Sequence, residues 1–181
     1  MDNRFKEGNG YYGWNTLRYV LYEYEYYLWE GTRGQLVSWE QFIRSEQKNM
    51  ISIEHIYPQT PTDNYWKTHF AGLTDEDEHY YQGSLGNLLL LKQSINASLQ
   101  NDSFPNKKTR TRNQDGKVVQ LGYEYGSCSE REVAKEQDWT PEAIRRRGLK
   151  ILSFMEQRWQ FTFPEDMKED LLFLPSEKKN L

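Results

Sequence analysis

The sequence predicts an α+β fold in which a small strand–strand–helix unit sits inside a mostly helical domain. Three observations carry this. Between Trp14 and Trp29, the residues Leu17, Val20, Leu21, Tyr24 and Leu28 recur at helical spacing and share one face. From Ile51 to Ile56 the pattern changes to strict alternation of apolar and polar residues, the period of a strand, and Pro58 ends it. Finally, Thr140-Pro141 is a helix start, a capping hydroxyl followed by a proline at the first helical position. The helix it opens buries Ile144, Ile151, Leu152, Met155 and Trp159, and Pro164 stands beyond its end.

The remaining elements follow in order. Tyr19, Tyr22, Tyr26 and Tyr27 widen the apolar surface of the first helix. Rings in this stretch can stack on bases, but helical spacing favours packing into a core. Ser38 with Gln41 reads as a capping box opening a short helix through Ile43. After the first strand a polar segment runs to Ser84, with a short helix starting at Thr74. Asp75 to Glu78 then form an acidic first turn favoured by the helix dipole, not a metal site. Gly86 precedes Asn87-Leu88-Leu89-Leu90-Leu91, a buried second strand begun by Asn87, and Ser94 to Leu99 make a short helix. Residues 106–126 read as loop or a weak hairpin turning at Asp115-Gly116. The tail from Ser176 is polar and expected to fray. The predicted organisation is a helical part over 1–50, a core over 51–112 and a second helical part over 113–181, all in one compact domain.

Bulk properties narrow the function. A chain of 181 residues suits one domain, and although only 36% of it is hydrophobic, aromatic rings at 15% supply buried area. No apolar run approaches the roughly 18 residues of a membrane span, and the first thirteen residues lack an apolar signal-peptide core. The single cysteine, Cys128, excludes an internal disulfide and any multi-cysteine zinc site. These features together predict a cytoplasmic protein without structural zinc. A net charge of -4 counts against strong nucleic-acid binding by the chain alone. The best local basic patch, and the expected DNA contact, is Lys107, Lys108, Arg110 and Arg112, directly after the short helix, with Lys107 or Lys108 expected to reach the phosphate.

Strand, long loop, strand and short helix is the order of a ββα-metal unit, and chemistry-bearing residues stand at its corners. Glu54 and His55 are adjacent at the end of the first strand, so their side chains leave in different directions, one toward a metal and one toward a water. Asn96 on the short helix can bring a side-chain oxygen to the same ion as Glu54. Oxygen ligands of this kind favour Mg²⁺, Mn²⁺ or Ca²⁺ over zinc. His69 and His79 have no placed partners and read as structural or exposed.

The joint pattern is more specific than any one pair. Ile53-Glu54-His55-Ile56-Tyr57-Pro58-Gln59, then Leu85-Gly86-Asn87-Leu88, then Asn96, resembles the HNH nuclease signature. It resembles in particular the C-terminal domain of GmrSD-type, modification-dependent restriction endonucleases. The flanks Tyr12-Gly13, Leu21-Tyr22-Glu23-Tyr24-Glu25, Trp139-Thr140 and Ile144-Arg145-Arg146-Arg147 agree with that family, so the resemblance covers most of the chain. It implies an HNH (ββα-metal) core and a metal-dependent DNA endonuclease acting in restriction of modified or foreign DNA. His55 matches the general base, Glu54 the acidic metal ligand, Asn87 the position that steadies the active-site loop, and Asn96 the last metal position. The implied cofactor is one Mg²⁺ or Mn²⁺ ion, and the implied partners are DNA and an N-terminal nucleotide-binding domain or subunit outside this chain. Glu for the commoner Asp, and Asn for the commoner His, are departures that leave the chemistry intact. The competing expectation is a catalytically idle domain that binds nucleic acid or regulates an N-terminal NTPase-like domain.

Overall fold

The computed structural model describes residues 10–32, 34, 36–43, 51–109, 111–112, 115 and 117–175. Helices α1 (Leu17–Thr32) and α2 (Trp39–Ile43) precede strand β1 (Ile51–His55). Helices α3 (Asn64–His69) and α4 (Asp75–Gly83) occupy the connection to β2 (Leu88–Lys92), and α5 (Gln93–Leu99) and α6 (Phe104–Lys108) follow it. A short ribbon, β3 (Thr111–Arg112) with β4 (Val118–Gln120), leads to α7 (Cys128–Val133), the long α8 (Pro141–Trp159) and α9 (Lys168–Leu171). The expected α+β class is observed as a small antiparallel sheet among helices.

In the sheet, β1 and β2 pair antiparallel with Ile51 opposite Lys92 and His55 opposite Leu88. Because side chains alternate across a strand, the four leucines of β2 divide between two cores. Leu88 and Leu90 pack with Leu17, Val20, Leu21 and Tyr24 of α1 and with Ile151 and Leu152 of α8. Leu89 and Leu91 pack on the other side with Trp66, Leu99, Phe104, Tyr123 and Trp139. A five-residue strand buried on both faces thus forms the wall between two aromatic-rich cores. This is why the run reads as continuously apolar and not as alternating.

Several local signals are realised. Ser38 and Gln41 exchange hydrogen bonds of 3.2 Å, the capping box of α2. Thr74 and Asp77 form the corresponding box on α4, and the Thr140 side chain accepts from Ala143 N at the start of α8. Other expectations shift. The first helix begins at Leu17, after a 3-10 turn over Gly10–Gly13. Asn87 ends a second 3-10 turn (Leu85–Asn87) and does not itself open β2. Helices α3, α6 and α7 were not evident in the sequence, since five or six residues are too few to display a 3.6-residue period. Tertiary contacts complete α7: Glu25 of α1, fully buried, accepts from Cys128 N at 2.8 Å and Ser129 N at 2.7 Å. A neighbouring helix therefore satisfies backbone donors that α7 cannot satisfy itself.

Gly86 is required by close approach. A Cβ there would lie 1.9 Å from Ile144 O and 2.8 Å from Gly148 N, so only glycine lets the 85–87 turn rest on α8. Gly86→Ala should destabilise the chain by about 2–3 kcal/mol or more in urea unfolding, the range for overpacking a close contact. Unchanged stability would show that the turn and α8 separate easily.

Glu130 carries a pH signature. Its Oε2 accepts from Ser127 N at 2.8 Å, closing the capping box of α7, while Oε1 is buried with no hydrogen-bond partner. Burial pushes its carboxyl up from 4.5 to about 7. A folded pKa above the unfolded one means stability fully present below pH 4.5 and lost as pH rises through about 7. Relative to Glu130→Gln, which keeps the cap acceptor but cannot ionise, the wild type should lose on the order of 3 kcal/mol across that window. Parallel pH–stability curves for the two proteins would refute this.

Candidate functional site

Register decides where the Glu-His pair points. Glu54 lies opposite Leu89 and His55 opposite Leu88, so the two side chains leave opposite faces of the sheet. Glu54 enters the second core, where Lys107 Nζ of α6 lies 2.7 Å from its Oε1. The Tyr123 hydroxyl donates to the same oxygen at 3.0 Å. Burial raises the Glu54 carboxyl above its usual range, and the Lys107 charge and hydrogen bond pull it back down. His55 is packed against the ring of Tyr12, centroids 4.6 Å apart at 49°. Burial, with the Lys107 charge second, pushes the His55 imidazole down to about 4, so it is neutral at pH 7.

Asn87 ties this corner together. Fully buried, it accepts from Tyr57 N at 2.7 Å and Trp139 Nε1 at 3.1 Å, and donates to Tyr57 O at 2.9 Å and Gln82 O at 3.1 Å. Its own carbonyl accepts from Ile56 N at 3.0 Å. The segment after His55 is thereby held against the start of β2 by one side chain. Arg147 of α8 adds bonds of 2.8 Å to the carbonyls of Gly86 and Leu88, on either side of Asn87.

Asn96 lies on α5, and its Nδ2 donates to Ser52 Oγ at 3.0 Å and Ile53 O at 3.2 Å. Both bonds use the amide nitrogen, which leaves Oδ1 without a protein donor among the described residues. Glu54, His55 and Asn96 line one open cleft of about 320 Å³ with Tyr12, Gln59 and Gln100. Of the two expected ligands, Asn96 offers Oδ1 and Glu54 offers Oε2, since both side-chain donors to Glu54 sit on Oε1. Among the described residues no group of three or more His, Cys, Asp or Glu gathers around a single point. An ion in this cleft would therefore take its remaining ligands from water and phosphate, as Mg²⁺ commonly does.

The expected basic patch does not form as a unit. Lys107 is fully buried and donates to Glu54 Oε1 and, at 3.0 and 3.1 Å, to the carbonyls of His55 and Ile56. With all three ammonium hydrogens engaged it cannot meet a phosphate, so its expected DNA contact is corrected to an internal ion pair. Lys108 donates to Glu136 O at 2.7 Å. Arg110 lies outside the described residues, and Arg112 is described in backbone only, within β3. His69 takes a structural place, stacked on Tyr65 at 3.9 Å and 3.4 Å from Asp138.

Tyr12, Tyr123, Trp139 and Arg147 all bear on the cleft, and sequence reasoning gave none of them that place, whereas Lys107 was expected at the phosphate and is instead the internal partner of Glu54. One signal was available for Lys107: it stands three residues after the buried Phe104, so a helix there puts both on one face. The others reach the site through contacts between residues far apart in the chain, from Tyr12 with His55 to Tyr123 with Glu54.

A family model described as GmrSD restriction endonucleases, C-terminal domain, matches residues 1–154. Comparison with curated proteins and with solved structures gave no match.

Removing the Asn87 amide strands four buried partners at once. Asn87→Ala should cost about 3–5 kcal/mol, given about 1–3 kcal/mol for each unsatisfied buried group and partial relaxation. Asn87→Asp should be similarly damaging, because a carboxylate would face the carbonyls of Tyr57 and Gln82. Thermal and urea unfolding of both variants check this, and near-wild-type stability in Asn87→Asp would discount the two donor bonds.

Proposed function

Because the chain belongs to the family of C-terminal domains of GmrSD restriction endonucleases, we propose that the cleft at the end of β1 hydrolyses DNA phosphodiester bonds by HNH chemistry. The supporting observation is the meeting of Glu54 and His55, from the end of β1, with Asn96, from α5, on one open cleft. The β1–β2 pair with α5 behind it serves as the ββα-metal unit. Neutral His55 takes a proton from the attacking water as the water oxygen bonds to phosphorus. The P–O3′ bond breaks, and the 3′ oxygen leaves with a proton drawn from solvent. Asn87 holds the segment after His55 in place, and Tyr12 packs on the imidazole and limits its rotation. Glu54 Oε2 and Asn96 Oδ1 would hold one Mg²⁺ or Mn²⁺ ion, which when bound offsets charge developing on the phosphate and leaving oxygen.

The role is restriction of modified or foreign DNA. With net charge -4 and Lys107 buried, this chain grips duplex weakly. An N-terminal nucleotide-binding domain or subunit supplies the remaining hold, and Lys108, Arg110 and Arg112 remain the DNA contacts proposed for this chain. A second reading, a catalytically idle domain that binds nucleic acid or regulates an NTPase-like partner, draws on the occupation of Glu54 by Lys107.

Plasmid cleavage with Mg²⁺ or Mn²⁺ separates the two. The chain should cut, and His55→Ala should lose roughly 10²–10⁴-fold in rate, the usual worth of general-base help. Cleavage by His55→Ala at the wild-type rate, in nuclease-free preparations, would refute the catalytic assignment.

A further inference from the structure

Lys107 takes no part in the reaction as described, yet it is the most enclosed charge beside the cleft. Its side chain has no solvent exposure, and its three hydrogens meet Glu54 Oε1 at 2.7 Å, His55 O at 3.0 Å and Ile56 O at 3.1 Å. Two of these acceptors are backbone carbonyls at the catalytic turn, so the ammonium cannot swing away without exposing them. Its position is built in, and its charge with it.

That charge bears directly on the cation half-site. The carboxylate there is Glu54, 4% exposed, and Lys107 offsets its charge before any ion arrives. The other oxygen, from Asn96, is neutral. A dication entering the cleft of the free protein would meet a compensated carboxylate, one amide oxygen and a fixed ammonium behind them. Like charges held within several ångströms of each other weaken binding by roughly tenfold or more at the effective dielectric of a protein. A DNA phosphate supplies the missing negative charge and further oxygen ligands, as substrate phosphates commonly do for Mg²⁺. Resting on the nuclease reading of this cleft, we propose that Lys107 is a positioning residue that keeps the half-site electrically neutral, so that the divalent cation is taken up together with the DNA phosphate. The free protein then carries little metal, and cleavage chemistry is assembled only on substrate.

Linkage makes the proposal measurable without turnover. If the phosphate raises cation affinity by some factor, the cation raises DNA affinity by the same factor. In the His55→Ala protein, which leaves duplex intact, Mn²⁺ affinity by calorimetry should rise about tenfold or more when duplex is saturating, after subtraction of Mn²⁺ taken by duplex alone. Duplex affinity should rise equally with Mn²⁺. Lys107→Met should bind Mn²⁺ about tenfold tighter without DNA, whereas Lys107→Arg, which keeps the charge, should retain the coupling. A merely structural ion pair would instead cost stability in Lys107→Met and leave Mn²⁺ affinity unmoved. Should Lys107→Met fail to fold, the coupling in the His55→Ala protein decides alone. Equal Mn²⁺ affinity with and without duplex, in a wild-type chain that cleaves plasmid, overturns this inference and spares the nuclease assignment. Absence of both Mn²⁺ binding and plasmid cleavage overturns the two together.

Discussion

Burial of the Asn87 amide sets the terms for everything around the cleft. Its two donors and one acceptor engage Tyr57, Gln82 and Trp139, in three different segments, while its backbone carbonyl holds Ile56. A buried amide with unmet partners is costly, so the segment after β1, the end of α4 and the approach to α8 are constrained together. His55 is the last residue of β1, directly before this clamped stretch. Its position follows from backbone held on both sides, since its ring makes no hydrogen bond among the described residues.

Around that clamp the molecule is organised as two cores sharing one wall. The leucines of β2 feed both sides, and α8 braces the strand's entrance through Arg147 and the close contact at Gly86. The flanking segments that carry the family resemblance are largely the braces. Trp139 bonds to Asn87, Arg147 to Gly86 and Leu88, Tyr12 packs on His55, and Glu25 caps α7. Family identity in this chain is therefore as much a matter of the scaffold that positions the cleft as of the residues lining it.

Electrostatics at the site runs opposite to the expectation of a cationic DNA surface. The lysine expected on the surface is inside, compensating the carboxylate expected to hold a metal. The basic side chains of α8 are similarly engaged: Arg145 with Glu169, Arg146 with Glu136, and Arg147 with the 86–88 turn. Ion pairing within the domain engages much of its positive charge, and acidic residues outnumber basic ones in the chain as a whole, at net -4.

The sequence by itself determined the class of fold, the two strands of the sheet, the caps of α2, α4 and α8, and the Glu54, His55, Asn87 and Asn96 set. Each is local: alternation, capping pairs and Pro placement act within a few residues, and the four site residues stand out as a spaced motif. Tertiary structure alone decided which way those residues face and what they touch. That Glu54 meets Lys107 and Tyr123 at one edge of the cleft while the His55 ring packs beneath Tyr12 depends on strand register with β2. The same holds for Lys107, where a five-residue helix hides its period and the partner lies 53 positions away in the chain. A charged residue reads as exposed until the fold supplies an opposite charge and carbonyls to receive it. Those acceptors are gathered only when β1, α6 and the Tyr123 turn pack together.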